Sequence, residues 1–183
     1  MKATGIVRRI DDLGRVVIPK EIRRTMRIRE GDPLEIYTDR EGEVIFKKYS
    51  PIGELASFAA QYAETLQKTC GMAVIISDRD AVIVAAGVSK KEYLEKKISD
   101  ELEDIIETRG LYTYRAGQER FRAIEDGGTH YISCAMPIIA DGDVIGSVCS
   151  VLHNEEGESR LADEIEVKLI QTAAGFLGKQ MEG

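Results

Sequence analysis

Cysteine and histidine are scarce in this sequence, and their arrangement argues against two kinds of site. The three cysteines, Cys70, Cys134 and Cys149, are odd in number, scattered and flanked by apolar residues. This pattern favours reduced, buried thiols over a disulfide framework or a zinc site, although a sensor or ligand role for Cys134 and Cys149 stays open. The two histidines, His130 and His153, lie 23 residues apart without metal-site spacing to a cysteine. We therefore expect no metal centre.

Long apolar runs and the short motifs of common enzymes are also missing. No stretch approaches the ~20 apolar residues that span a bilayer, and Met1-Lys2 is not followed by the apolar segment of a signal peptide, so we expect a cytoplasmic protein. The sequence has no G-x-x-x-x-G-K-[ST], H-E-x-x-H, G-x-S-x-G or dinucleotide-binding glycine motif. Acidic runs such as residues 100–104 have the spacing of a solvated helix face. We therefore expect that the protein is not an enzyme.

Charge is divided unevenly along the 183 residues. Residues 1–50 carry twelve Lys and Arg against nine Asp and Glu, a net charge of +3, whereas the remainder carries thirteen against twenty-three, a net charge of −10. Residues 1–29 alone reach +6. Such asymmetry predicts two modules, the first of which faces a polyanion. Ser50-Pro51 marks the boundary, so we expect one domain over residues 1–50 and another over 51–183.

The first module has the pattern of a small β-rich domain. Turn-forming residues separate two short alternating segments, and Pro19 ends the second because it cannot donate to a β-ladder, although it suits the first turn of a helix. Two later segments alternate with period two around another turn, as in a β-hairpin. The expected strands cover residues 4–10, 15–18, 34–38 and 43–49, and the expected helix covers residues 20–28.

The expected helix would gather positive charge on one face. At 100° per residue, Lys20, Arg23, Arg24 and Arg27 share an arc of about 100° that contains no acidic residue. The guanidinium fork matches phosphate geometry, whereas a merely solvated surface is the alternative. About 50 residues bury too little surface for comfortable stability, so we expect this module to dimerise. A dimer would set the basic surface about a two-fold axis, which suits duplex DNA.

Residues 1–50 resemble the AbrB-type DNA-binding domain of bacterial transition-state regulators, and GRVVIPKEIRR is the most specific part of the match. The resemblance implies that two chains swap hairpins to close one β-barrel, whose arginines grip double-stranded DNA. Lys20 and Arg27 have no clear counterpart in that family and stay candidates for phosphate contacts. Arg9 stands where a lysine is also common. The residues that match DNA-contacting positions of the family are Arg8, Arg15, Arg23 and Arg24.

The second module alternates helices and strands. Apolar residues recur at helical spacing from Leu55 to Leu66 and end near Gly71, and Asp141-Gly142 predicts a tight hairpin turn. The expected helices cover residues 55–71, 90–109 and 159–181, and the expected strands cover residues 72–77, 81–86, 129–140 and 143–152. The last helix is expected to present one apolar stripe, formed by Leu161, Ile165, Leu169, Ala173, Phe176 and Leu177.

This order of elements, with the hairpin PIIADGDVIGSV and a long closing helix, resembles a GAF domain. The two modules together resemble a family of sporulation regulators. That resemblance implies an α+β fold and a nucleoid-associated regulator that activates or represses sporulation genes. It also implies a homotetramer whose GAF domains pair through their terminal helices. GAF domains often bind small molecules, so an unidentified ligand is the one cofactor we consider, and Tyr112, Tyr114 and Arg115 are candidates for its pocket, with surface packing as the alternative.

Two other functions stay open from the sequence. An antitoxin would share the swapped-hairpin barrel, and a ligand sensor could use the basic module to bind protein. Antitoxin tails are short and poorly ordered alone, whereas residues 52–183 have the apolar periodicity of a folded domain. The sequence therefore favours a DNA-binding regulator.

Overall fold

A computed structural model describes residues 5–153 and 163–182 of the chain. The chain divides into two compact units, Met1–Tyr49 (unit 1) and Ser50–Gly183 (unit 2). No helix in the described ranges is long and apolar enough to cross a membrane.

Unit 1 contains one short helix and one β-hairpin. The strands pair antiparallel, with Ile36 opposite Phe46. The carboxylate of Asp39 closes the turn between them, because it accepts hydrogen bonds from the backbone N–H groups of Glu41 and Glu43. The predicted hairpin is therefore confirmed. The elements of unit 1 are α1 (Lys20–Thr25), β1 (Leu34–Thr38) and β2 (Val44–Lys48).

Helix α1 ends earlier than the predicted helix over residues 20–28. Arg27 has a φ of +51°, in the left-handed region that helices use just beyond their last residue. The backbone N–H of Ile28 donates to the carbonyl of Arg23 at 2.7 Å, and that of Arg27 donates to the carbonyl of Arg24 at 3.3 Å. This is a Schellman ending with arginine where glycine is usual. The prediction is wrong beyond Thr25, and Arg27 does not share the face of α1.

The two predicted strands before α1 are absent among the described residues of the chain. Residues 5–10 and 15–18 belong to no strand, although the turn between them forms, with the N–H of Gly14 donating to the carbonyl of Asp11 at 3.0 Å. A strand needs a neighbouring strand to pair with along its length, and these segments take part in no strand pairing within the described residues of unit 1. The predicted strands are therefore wrong for one copy of the chain.

Unit 1 also lacks buried large apolar side chains. Within the described ranges, every such side chain with less than 9% exposure belongs to unit 2. A module of this size without a core has little apolar burial to offset the conformational entropy that it loses on folding. The exposed large apolar residues of unit 1 are Ile6, Val7, Ile10, Leu13, Val16, Val17, Met26, Ile36, Tyr37, Val44 and Phe46.

Unit 2 is built on a five-stranded antiparallel sheet with the order β4-β3-β7-β6-β5. The α+β class and the predicted order of helices and strands in this unit are confirmed. The strands are β3 (Ala73–Ser77), β4 (Val82–Ala86), β5 (Tyr112–Thr113), β6 (Tyr131–Ala140) and β7 (Asp143–Leu152). The helices are α2 (Pro51–Glu54), α3 (Ala56–Cys70), α4 (Lys90–Tyr93), α5 (Asp100–Glu107) and α6 (Asp163–Met181).

The sheet carries a hydrophobic core on each face. Successive residues of a strand point to opposite faces, so Val74 and Ile76 pack under α3 and α6 while Ile75 packs under α5. Asp141 and Gly142 have φ values of 50° and 83°, as the turn of a two-residue hairpin between β6 and β7 requires. Both faces of the sheet are thus covered, and the predicted hairpin is confirmed.

The predicted helix over residues 90–109 is interrupted. Glu95 has a φ of +62° and its N–H donates to the carbonyl of Val82, while the N–H of Val82 donates to the carbonyl of Lys96. Residues 95–98 therefore pair with residues 80–82, at and just before the start of β4, and this pairing overrides helical propensity. Ser99 then caps α5 by accepting from the N–H of Leu102 at 3.1 Å.

Helix α6 buries part of the predicted stripe, since Ala173 and Leu177 are each 0% exposed, but not all of it. Ile165 is 50% exposed and Phe176 is 40% exposed, while Leu161 lies outside the described residues. Phe176 rests on the rings of Phe58 and Tyr62 of α3, with centroid separations of 5.6 Å and 5.5 Å. The buried residues of α6 are Glu166, Ile170, Ala173, Ala174, Leu177 and Gly178.

Glu166 connects α6 to the sheet through hydrogen bonds. The hydroxyl of Ser150 on β7 donates to Oε1 at 2.6 Å, and that of Ser133 on β6 donates to Oε2 at 3.2 Å. The carboxyl is 9% exposed, so the two serines supply partners that water would otherwise provide.

Candidate nucleic-acid interface

The five arginines expected to contact DNA lie in three places of unit 1. Arg8 and Arg9 are exposed within residues 5–10. Arg15 is exposed just beyond the following turn, opposite Asp11, whose N–H donates to the Arg15 carbonyl at 3.0 Å. Arg23 and Arg24 occupy the last turn of α1, where cations interact favourably with the helix carbonyls. Arg23 is half-buried and Arg24 is exposed.

Most of these arginines lack a carboxylate partner. Nε of Arg15 lies 2.8 Å from Oδ2 of Asp11, and the Arg15 side chain is 68% exposed. Across residues 5–153 and 163–182, no such ion pair within 4.0 Å involves Arg8, Arg9, Arg23 or Arg24. Their charge is not neutralised within the described part of the chain, which is the condition for attracting a polyanion.

Lys20 and Arg27, the two further candidates for phosphate contacts, differ in position and in exposure. Lys20 is exposed at the start of α1. Arg27 is half-buried in the connection that follows α1, and its carbonyl accepts from Nζ of Lys48 at 2.9 Å. Lys48 also lies 3.8 Å from Asp32. Arg27 thus belongs to a contact network that ties the helix end to the hairpin, and the predicted shared basic face includes Lys20 but not Arg27.

Unit 2 contains a cavity of about 420 Å³ between the start of α5 and residues 119–125. Arg120 lies over the ring of Tyr114 at 4.7 Å and over that of Tyr131 at 5.9 Å. The expected pocket residues Tyr112, Tyr114 and Arg115 do not line this cavity. Tyr112 packs against the ring of Phe121, with the centroids 5.8 Å apart. The lining residues are Ser99, Asp100, Glu101, Glu119, Arg120, Phe121, Arg122, Ile124, Glu125 and Tyr131.

Cys134 and Cys149 belong to the core, as expected. They are 1% and 0% exposed, and burial raises the pKa of each thiol to about 12. Since the thiolate is the reactive form, both side chains are unreactive at neutral pH.

The structure brings the two histidines together, which the sequence reasoning missed. Their ring centroids lie 5.0 Å apart, because Tyr131 and Leu152 pair across β6 and β7. His130 and His153 are equally distant from the Asp141-Gly142 turn, so the hairpin register could have revealed the contact. Among the residues that the structure describes, no group of three or more His, Cys, Asp or Glu could hold a metal ion.

Comparison with known proteins identifies relatives of both units. The family described as "Stage V sporulation protein T C-terminal, transcription factor" matches residues 54–182, and the family "Antidote-toxin recognition MazE, bacterial antitoxin" matches residues 7–53. The N-terminal DNA recognition domain of the Bacillus subtilis transition-state regulator AbrB is 65% identical, with 27% of this chain and 91% of that chain covered and a TM-score of 0.23. A GAF domain of nlh2 from A. aeolicus is 15% identical, with 70% of this chain and 89% of that chain covered and a TM-score of 0.44.

A full-length relative is also found. Stage V sporulation protein T of Bacillus subtilis (strain 168) is 53% identical over 184 residues, which cover 100% of this chain and 99% of that protein. Identity at this level along the whole length, with a transcription-factor family matching residues 54–182, decides the relationship. The chain belongs to the stage V sporulation protein T family.

Proposed function

We propose that this sporulation-related, DNA-binding transcription regulator grips duplex DNA with two copies of residues 1–50, and that residues 51–183 assemble and regulate it. The proposed contacts are made by Arg8, Arg9, Arg15, Arg23 and Arg24. The observation that carries this proposal is a set of five arginines in unit 1, four of which have no carboxylate partner within the described residues, in a unit whose described residues bury no large apolar side chain. Because its target is the chromosome, we assign the protein to the cytoplasm, in association with the nucleoid.

The proposed dimer is supported by segments of unit 1 that form no strand and by its exposed apolar side chains. Residues 5–10 and 15–18 form no strand in one copy, and Val7 and Val17 are 90% and 70% exposed. A second copy can supply neighbouring strands for these segments and cover their apolar side chains, as hairpin exchange does in closing a barrel. Two copies also double the number of arginines and relate them by a two-fold axis.

A second contact between copies is supported by the outer surface of α6. Phe58, Tyr62 and Phe176 form an aromatic cluster where α3 meets α6, and Ile165 extends the apolar surface along α6. Pairing of unit 2 through these helices would join two dimers of unit 1 into a homotetramer.

The arrangement suits contacts to the DNA backbone more than reading of base edges. Guanidinium groups bind phosphate oxygens through paired N–H donors, and phosphate contacts fix a protein on the duplex without carrying sequence information. Selectivity would then arise from how easily a given sequence bends or narrows its grooves.

The test replaces Arg15 and Arg24 by alanine in the full chain and measures affinity for duplex DNA by fluorescence anisotropy. A hydrogen bond to a charged group contributes about 1.5–3 kcal/mol and each 1.4 kcal/mol is tenfold, so we expect affinity to fall by about a hundredfold or more. The oligomeric state, measured by light scattering, should not change. Arg40→Ala with Arg115→Ala removes the same charge from exposed sites elsewhere and should change affinity only slightly. Equal affinities for both double variants would refute the assignment.

The match of residues 7–53 to an antitoxin family favours a second candidate function, an autoregulating antitoxin. Against it, unit 2 has two extensive cores and a five-stranded sheet, whereas an antitoxin tail is poorly ordered until it binds its toxin. Calorimetry of a fragment covering residues 52–183 separates the two functions. A cooperative transition supports the regulator, and a featureless trace supports the antitoxin.

A further inference from the structure

The carboxylate of Asp11 accepts three hydrogen bonds in the turn before α1. Its Oδ1 accepts from the backbone N–H groups of Leu13 at 3.0 Å and Arg15 at 2.8 Å. Its Oδ2 accepts from Nε of Arg15 at 2.8 Å. One carboxylate therefore holds both the backbone and the side chain of Arg15.

The contact also sets the direction of the guanidinium. A guanidinium has N–H donors on Nε and on its two terminal nitrogens, and the contact to Asp11 is made through Nε. With Nε bonded to Asp11, the edge formed by the two terminal nitrogens stays available to bind phosphate or guanine in a bidentate manner. Holding Nε at 2.8 Å restricts the rotation of a side chain that is 68% exposed and would otherwise lose rotamer entropy on binding.

Asp11 stays charged while it does this. Hydrogen bonds from the backbone N–H of Arg15, and then from its side chain, hold the pKa of Asp11 below its ordinary value. A negative charge beside a DNA-contacting arginine opposes DNA binding by simple electrostatics. Orientation and charge therefore act in opposite directions at this one residue.

We propose that Asp11 is a positioning residue for DNA binding, which orients Arg15 so that the terminal nitrogens of its guanidinium meet the duplex. This inference rests on the proposed function of unit 1. It requires that the affinity gained by orienting Arg15 exceeds the affinity lost through repulsion between the Asp11 carboxylate and DNA.

The test compares Asp11→Asn with Asp12→Asn in the full chain, by anisotropy with one duplex at one salt concentration. Both variants remove one negative charge from neighbouring exposed positions. If charge alone mattered, both would bind DNA more tightly. We expect Asp12→Asn to bind equally or a few-fold more tightly and Asp11→Asn to bind roughly tenfold more weakly, the size of one charged hydrogen bond. An asparagine can still accept from the backbone with its oxygen, but it then turns N–H groups towards Nε of Arg15.

A double-mutant cycle separates positioning from support of the turn. In the Arg15→Ala background, positioning predicts that Asp11→Asn no longer weakens binding and acts like Asp12→Asn. An equal weakening in both backgrounds would assign Asp11 to the turn alone and overturn the proposal, as would tighter binding by Asp11→Asn in the native background.

Should Asp11→Asn fail to fold, Arg15→Lys replaces it, because lysine keeps the charge without an Nε–H fork. Affinity of Arg15→Lys equal to the native value would also overturn the proposal. Failure of the proposed function itself has a different signature, namely unchanged affinity when Arg15 becomes alanine.

Discussion

Gly178→Ala should loosen the docking of α6 although alanine is the better helix former. A Cβ at this position would lie 2.2 Å from the carbonyl oxygen of Ile139 on β6, whereas ordinary contact begins at 3.4 Å. The obstacle is backbone, so α6 must move by about 1.2 Å rather than a side chain rotating away. Overpacking of this kind costs roughly 1–3 kcal/mol, and a backbone clash belongs at the upper end. Subtracting a helix-propensity gain of about 1 kcal/mol leaves a net loss of about 2 kcal/mol.

The matched control lies one turn earlier on the same helix. A Cβ on Gly175 would meet nothing within 4 Å, so Gly175→Ala should stabilise unit 2 by about 0.5–1 kcal/mol. For a protein of this size, 1 kcal/mol corresponds to about 2–4 °C in Tm. Calorimetry of the full chain should therefore show the larger-enthalpy transition, that of unit 2, falling by about 4–8 °C for Gly178→Ala and rising by about 1–4 °C for Gly175→Ala. Shifts of the same sign for both variants would refute the close helix-sheet packing.

Two further predictions concern buried polar groups of unit 2. Because the pKa of Cys134 and Cys149 is raised to about 12 by burial, only Cys70, which is half-buried, should react quickly with a thiol reagent at pH 8 in the native protein. Denaturant should expose all three, and more than one fast native thiol would contradict the burial. Glu166→Leu removes the acceptor of two buried serine hydroxyls and should destabilise unit 2 by about 1–3 kcal/mol in urea unfolding. An unchanged urea midpoint would mean that these hydrogen bonds contribute nothing net.

Short-range chemistry accounts for the elements that the sequence predicted correctly. The Asp141-Gly142 turn needs positive φ at both positions, and few residue pairs other than this type permit it. Helix α3 ends at Gly71, which has a φ of +68°, as helix-ending glycines do. These signals lie within a few residues of the feature that they determine.

The predictions that failed depend on partners distant in sequence. Residues 95–98 leave the helix because they pair with residues 80–82 at the start of β4, and nothing local in the sequence marks that contact. The buried face of α6 differs in part from the predicted one because Phe176, although apolar, packs against two aromatic rings of α3 and stays 40% exposed. Strands at residues 5–10 and 15–18 need a pairing partner that one copy of unit 1 does not supply.

The candidate site likewise has some features that the sequence predicts and others that it does not. Exposure of Arg8, Arg9 and Arg24 follows from charge, because unpaired cations are rarely buried. The hold of Asp11 on Arg15 follows instead from the geometry of a turn, which periodicity does not describe. The roles of these arginines remain predictions until DNA binding is measured.

The salt dependence of duplex binding tests the central claim most directly, since that claim is that the proposed DNA-contacting arginines from two copies of unit 1 neutralise phosphates. If a dimer neutralises about eight phosphates, log K should fall linearly against log salt concentration with a slope of roughly −7. Replacing Arg15 and Arg24 by alanine should make the slope shallower. A slope near zero, or one that these substitutions leave unchanged, would contradict the account.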